Sequence, residues 1–182
     1  MASTSNVTAG KPKIGGAVSI APLGTTLPTD ATTALDPAFV NLGYISEDGM
    51  TQTVTRDSEA VKAWGGDTVM TLQTEFEETF AFRLIEALDV NVRKAVFGDN
   101  NVTGTLAAGI VTTVNSAELA EHEWVIDLVY NGAVSRIVVP SGKVTEIGDI
   151  TYADGEPVGY ELTITALPDA SGNCSYEYTK TA

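Results

Sequence analysis

Cysteine and histidine are almost absent from this 182-residue chain, which holds one of each, Cys174 and His122. A single cysteine excludes an intramolecular disulfide, so stability must come from packing and from assembly with other subunits. One histidine and one cysteine cannot make a zinc constellation, and neither metal nor cofactor is expected. Basic residues are also scarce, 10 against 24 acidic ones, for a net charge of −14. Such a surface repels phosphate, which argues against ordinary nucleic-acid binding. Long apolar runs are missing as well. The most apolar early stretch, Ile14 to Leu23, is interrupted by Gly15, Gly16 and Pro22 and falls far short of the roughly 20 residues of a membrane helix. Met1 to Gly10 has no basic segment followed by an apolar core, so no signal peptide is expected and the reading is of a soluble protein made in the cytoplasm.

What is present is a globular composition, 43% hydrophobic and 19% charged with mean hydropathy +0.08. The length suits one domain with its own core.

Candidate chemistry is thin. His122 lies between Glu121 and Glu123 at a strand start with no Cys or Ser motif as partner, and reads as a surface histidine. Cys174 alternates with Tyr176 and Tyr178 and reads as a small buried residue. "DNNVTG" from Asp99 begins like a calcium loop, but its twelfth position is Ile110 where a bidentate carboxylate is needed. "SGKVT" at Ser141 to Thr145 lacks both the earlier glycine and the magnesium-holding hydroxyl of a phosphate loop. On a strand Glu75 and Glu77 would stand about 6.6 Å apart on one face, with Glu78 on the other, a spacing conceivable for a glycosidase pair. A solvated acidic strand face is the better reading, and no catalytic residue is assigned.

The first 38 residues, rich in Ala, Thr, Gly and Pro, read as an extended arm and loop with one short strand at Ala17 to Ala21. From residue 39 to 182 the pattern is that of a single mainly β domain, a sandwich or barrel. Turn signals recur at Asp48-Gly49, Gly65-Gly66, Asn131-Gly132, Ser141-Gly142, Asp154-Gly155 and Ser171-Gly172. The clearest hairpin runs from Glu123 to Pro140 about Asn131-Gly132, a pair suited to a type I′ turn. A second should join Lys143–Tyr152 to Val158–Leu167, and a last strand covers Cys174 to Thr179.

Val69 to Phe82 alternates with period two. Its even positions, Met70 to Phe82, are mostly apolar and its odd positions, Val69 to Ala81, mostly polar. One strand of 14 residues would reach roughly 46 Å, which suits a barrel shared between subunits; two strands broken near Glu78 are the alternative. One flanking α-helix is expected at about 83–97, from Leu84, Leu88, Val92 and Val96 at four-residue spacing, with Gly98 beyond its end. Asp89 or Asn91 could instead start a second short helix.

Whole phrases of the chain resemble the major tail (tail tube) proteins of long-tailed, non-contractile bacteriophages, particularly those of actinobacteria and other Gram-positive hosts. They are "GKPKIGGAVSIAPLGTTLPTDATTALDPAFVNLGYISEDGM" from Gly10, "KAWGGDTV" from Lys62, "QTEFEETFAFRLIEALDVNVRKAVFGDNNVT" from Gln73, and the closing strands. The resemblance implies a β-sandwich with one flanking helix, six copies in a ring with a continuous inner β-barrel, and rings stacked through a long loop and terminal arms. It also implies a virion tail assembled in the host bacterial cytoplasm, with the tape-measure, distal tail and tail-terminator proteins as partners. DNA would pass through the lumen without specific binding, and no membrane is involved. The immunoglobulin-like C-terminal domain of some relatives is expected to be lacking.

On that picture the wet strand face Thr71, Gln73, Glu75, Glu77 and Thr79 is the candidate channel lining. Lys11, Pro12, Leu23, Leu27 and Leu35 are the candidate inter-subunit arm contacts. Six copies at −14 each carry about −84, which lets DNA slide instead of stick. The alternatives are another ring-forming tail component, a distal tail or terminator protein, or a host-surface or carbohydrate-binding β module marked by an aromatic patch around Trp64 or Trp124.

Overall fold

The structure is a computed structural model that describes residues 2–182. A short 3-10 turn, Thr4–Asn6, precedes β1 (Lys11–Pro12), β2 (Val18–Pro22) and β3 (Val40–Asn41). Two long strands follow, β4 (Ile45–Lys62) and β5 (Thr68–Leu84), and then helix α1 (Val90–Phe97). A small hairpin, β6 (Val102–Thr105) and β7 (Gly109–Thr112), leads to β8 (His122–Tyr130) and β9 (Ala133–Ile147), and the chain ends with β10 (Tyr160–Ala166) and β11 (Tyr176–Thr181). Mainly β structure with one helix is thus what the chain forms.

The main sheet has the order β3-β2-β8-β9-β10-β5-β4, with β1 on β8 and β11 on β9; every pairing given is antiparallel. Its apolar face closes over Phe80, Phe82, Leu84, Trp124, Ile126, Val139, Leu162 and Ile164, with Val92 and Val96 of the helix against them. Each such side chain contributes about 1.5–3 kcal/mol relative to exposure. Trp124 lies edge-on to Phe82 at 6.4 Å and donates its indole N–H to the Gly142 carbonyl at 3.0 Å.

Gly142 explains a difference from the sequence reading. Ser141-Gly142 is no turn but the middle of β9, where a Cβ at 142 would stand 2.7 Å from Trp124 Cδ1 and 2.9 Å from Ile164 Cγ2. The glycine makes room for the indole. The β8–β9 hairpin turns at Asn131-Gly132 as expected, but positive φ occurs at Gly132 alone, so the turn is not type I′. Asp48-Gly49 forms a bulge within β4, not a turn between strands. β9 stops at Ile147, and residues 148–159 connect it to β10. The last strand begins at Tyr176, two residues after Cys174.

The helix begins at Val90, not near 83. Residues 83 and 84 continue β5, whose even positions face the core, so Leu84 belongs to the strand's period of two and only Val92 and Val96 to the helix. Asp89 caps the start, accepting from the Asn91 N–H, and the Gly98 N–H bonds back to the Lys94 carbonyl.

Candidate assembly surface

β5 runs unbroken for 17 residues, roughly 58 Å at strand rise, through the position of Glu78. Its two halves differ. From Glu78 to Leu84 it pairs with β10 on one side and β4 on the other, and every second residue is buried. From Thr68 to Glu77 its only partner among the described residues is β4, and all ten residues are exposed. The distal part is a two-stranded ribbon about 34 Å long that projects past the sheet. The turn Ala63–Asp67 closes it, placing Trp64 fully exposed at the tip.

Register sorts the ribbon into two faces. On one, Asp57 stands opposite Glu75, Thr55 opposite Glu77 and Thr53 opposite Thr79; the register then shifts between Asp57 and Ser58, leaving Thr74 without an opposite residue, and beyond it Ser58 stands opposite Gln73 and Ala60 opposite Thr71. Glu75, Glu77 and Thr79 therefore share this face, whereas Thr71 and Gln73 lie past this bulge, where the alternation of β4 puts Ser58 and Ala60 on the side of Arg56 and Gln73 Oε1 accepts from Arg56 Nη1 at 3.4 Å. The Glu75 face continues across the sheet through Thr165 opposite Thr79, with Thr145 Oγ1 bonded to Thr165 Oγ1 at 2.9 Å. Asp57, Glu75 and Glu77 make no ion pair among the described residues. The facing pair Asp57/Glu75 costs stability, on the order of 0.2–1 kcal/mol for like charges directly opposite. Acid is held here against the interest of the lone subunit. The β4 half of the face was readable in the Thr51, Thr53, Thr55 alternation.

The reverse face carries Arg56 opposite Phe76 and Val54 opposite Glu78, and past the bulge Val61 stands opposite Met70 and Glu59 opposite Leu72. The Arg56 guanidinium lies 4.4 Å above the Phe76 ring centroid. Val54, Val61, Met70, Leu72 and Phe76 are 37–50% exposed, an apolar stripe along the ribbon that the bulge interrupts. At its root Glu78 is buried and accepts bonds from Gln52 Nε2 at 2.7 Å and Ser175 Oγ at 2.8 Å, a satisfied charge where core meets ribbon.

The arm candidates fall in two places. Lys11 and Pro12 form β1, opposite Val129 and Leu128 at the end of β8, and both are exposed. Leu23, Leu27 and Leu35 lie on residues 23–39, which leave β2 and return to β3 as a strap; Leu23 is half exposed and the other two partly buried. β2 between these stretches is a buried core strand beside β8.

The strap lies over the face of β8 and β9 that points away from the main core. Arg136 anchors it: Nη1 donates to the Asp30 and Thr33 carbonyls at 3.2 and 2.7 Å, while Nε and Nη2 donate to Asp127 at 2.6 and 3.1 Å. Lys13 Nζ reaches the same carboxylate at 3.0 Å. Burial raises the Asp127 carboxyl, but its bonds to Arg136 and Lys13 outweigh that and hold it below the ordinary range. Asp30 accepts from the hydroxyl and amide of Thr33 and from Thr32, which keep its carboxyl well below ordinary values. This cluster was not singled out from sequence, although the hairpin centred on 131–132 sets Asp127 opposite Arg136.

Trp124 is wholly buried and Trp64 sits at the ribbon tip, so the two form no shared aromatic platform. His122 is mostly buried, 3.4 Å from Asp99. Cys174 is partly buried, and burial, with Glu78 and Asp169 nearby, pushes its thiol up.

A family model described as phage tail tube protein matches residues 3–180. A comparison with curated proteins finds no match.

Proposed function

Because the chain belongs to the phage tail tube protein family, a structural family of the virion tail, we propose that it polymerises as stacked rings, six copies to a ring, around a channel that delivers DNA to the host. The observation that carries this reading is the two-faced ribbon. An isolated two-stranded hairpin is marginal in water, and an exposed edge invites pairing. Neighbouring copies complete the ribbon, bury the Met70, Leu72 and Phe76 stripe, and close the strands into a shared barrel.

Closure turns inward the face of Glu75, Glu77 and Thr79 with Thr53, Thr55 and Asp57 of β4, and Thr71 and Gln73 line the channel beyond the bulge. Hydroxyls and carboxylates offer DNA no cation to bind. The tape-measure protein occupies this channel before ejection, and the distal tail and terminator proteins cap its ends. Lys11, Pro12, Leu23, Leu27 and Leu35 contact the adjacent subunit. Assembly takes place in the host bacterial cytoplasm, and the reading calls for no enzymatic activity.

Negative-stain microscopy of the purified protein tests it. Long hollow tubes are expected, and Leu23→Glu with Leu35→Glu should shorten them to rings or brief stacks. A wild-type protein that stays monomeric, or stops at isolated rings, would contradict the reading and favour a distal tail or terminator role.

A further inference from the structure

The strap is fastened at two points of opposite quality. At the Arg136 end, the buried guanidinium has carboxylate or carbonyl partners on Nε and both terminal nitrogens. At the other end stands Glu123 of β8, only 4% exposed. Its Oε1 accepts the Gly24 N–H at 2.8 Å, and its Oε2, fully enclosed, has no hydrogen-bond partner among the described residues. No cation faces it. From the strap the charge nearest it is Asp36, which repels. On its own face of β8 and β9 the next charges are Asp127 and Arg136, committed to each other. Beside it in sequence, Glu121 accepts from Ser141, and His122 points to the opposite face, against Trp124 and Asp99.

An ionised carboxylate buried with one bond and no countercharge is unfavourable, and it is relieved by water or by a proton. We propose that Glu123 makes the Leu23–Thr25 end of the strap a release point, which lifts from β8 while the carboxylate is ionised and closes when it is neutral. Burial, ahead of the Gly24 bond and the nearby Thr25 amide that act against it, raises the Glu123 carboxyl above its ordinary value. The closed strap therefore binds the proton more tightly than the open one. Closure is fullest below the ordinary carboxylate value and is lost as pH rises through the raised one. Lifting bares Leu23 for a neighbouring subunit; that purpose rests on the tail tube reading, whereas the lifting itself belongs to the free subunit.

Hydrogen–deuterium exchange on the free subunit tests the device whether or not tubes form. Protection of the Gly24 amide, corrected for intrinsic rate, is compared at pH 7.5 and 5.5 in wild type and Glu123→Gln. Thr32 and Thr33 amides serve as controls, since Asp30 stays ionised throughout this range. Gly24 should gain several-fold protection on acidification in wild type and be more protected in Glu123→Gln at pH 7.5, with the controls unchanged. Constant wild-type protection at Gly24, a less protected Glu123→Gln at pH 7.5, or an equal rise at all three amides would overturn the proposal.

Discussion

Two buried carboxylates on one face of β8 contribute to stability with opposite signs. Asp127, held below its ordinary value by Arg136 and Lys13, stabilises above the usual carboxylate range, and that contribution is lost as pH falls through the depressed value. Asp127→Ala leaves a guanidinium buried without its countercharge and should cost about 3–5 kcal/mol in denaturant unfolding at pH 7. The penalty should shrink in strong acid; one that is constant down to pH 2 would contradict the assignment. Glu123 runs the other way, since its raised value means the fold gains as pH falls. Part of this was legible. A two-residue turn at Asn131-Gly132 pairs residues whose numbers sum to 263, and Asp127 and Arg136 do. Glu123 was not legible, because the Gly24 amide it holds lies 99 positions away and the strap's course depends on the whole sheet.

At the scale of the element, the ribbon is the part least engaged in the subunit's own stability. Phe80, Phe82 and Leu84 are buried, whereas Met70, Leu72 and Phe76, in the same alternation, are about half exposed. Leu72→Ser with Phe76→Ser should therefore change the free subunit's unfolding free energy by well under 2 kcal/mol, yet prevent tube formation; surface positions are usually within about 0.5 kcal/mol each. Tubes of normal length from this variant would contradict an interface on that stripe. Period two disclosed the strand, but neither the bulge opposite Asp57 and Ser58 nor where core ends and ribbon begins, because Phe76 and Phe80 are identical as letters. The helix shows the converse error. Leu84 and Leu88 extended a four-residue spacing backward by chance, and Asp89, with its side chain on the Asn91 amide, marks the real start.

For the whole molecule, the β class and single helix followed from short alternating runs between turn signals, but the rolled sheet order did not. β2 pairs with β8 about 100 residues away, and β10, beyond its hairpin with β9, pairs with the distant β5; such long-range pairings leave no local trace. The formal charge of −14 says nothing of where the acids lie. Register places Asp57, Glu75 and Glu77 together on one face, with no ion pair among the described residues, and ring closure determines whether that face is inside. Cryo-electron microscopy of tubes assembled from the purified protein measures this directly. The account predicts that Thr71, Gln73, Glu75, Glu77 and Thr79 form the inner wall with Met70, Leu72 and Phe76 buried between subunits; a map with the acidic face on the outer surface would contradict it.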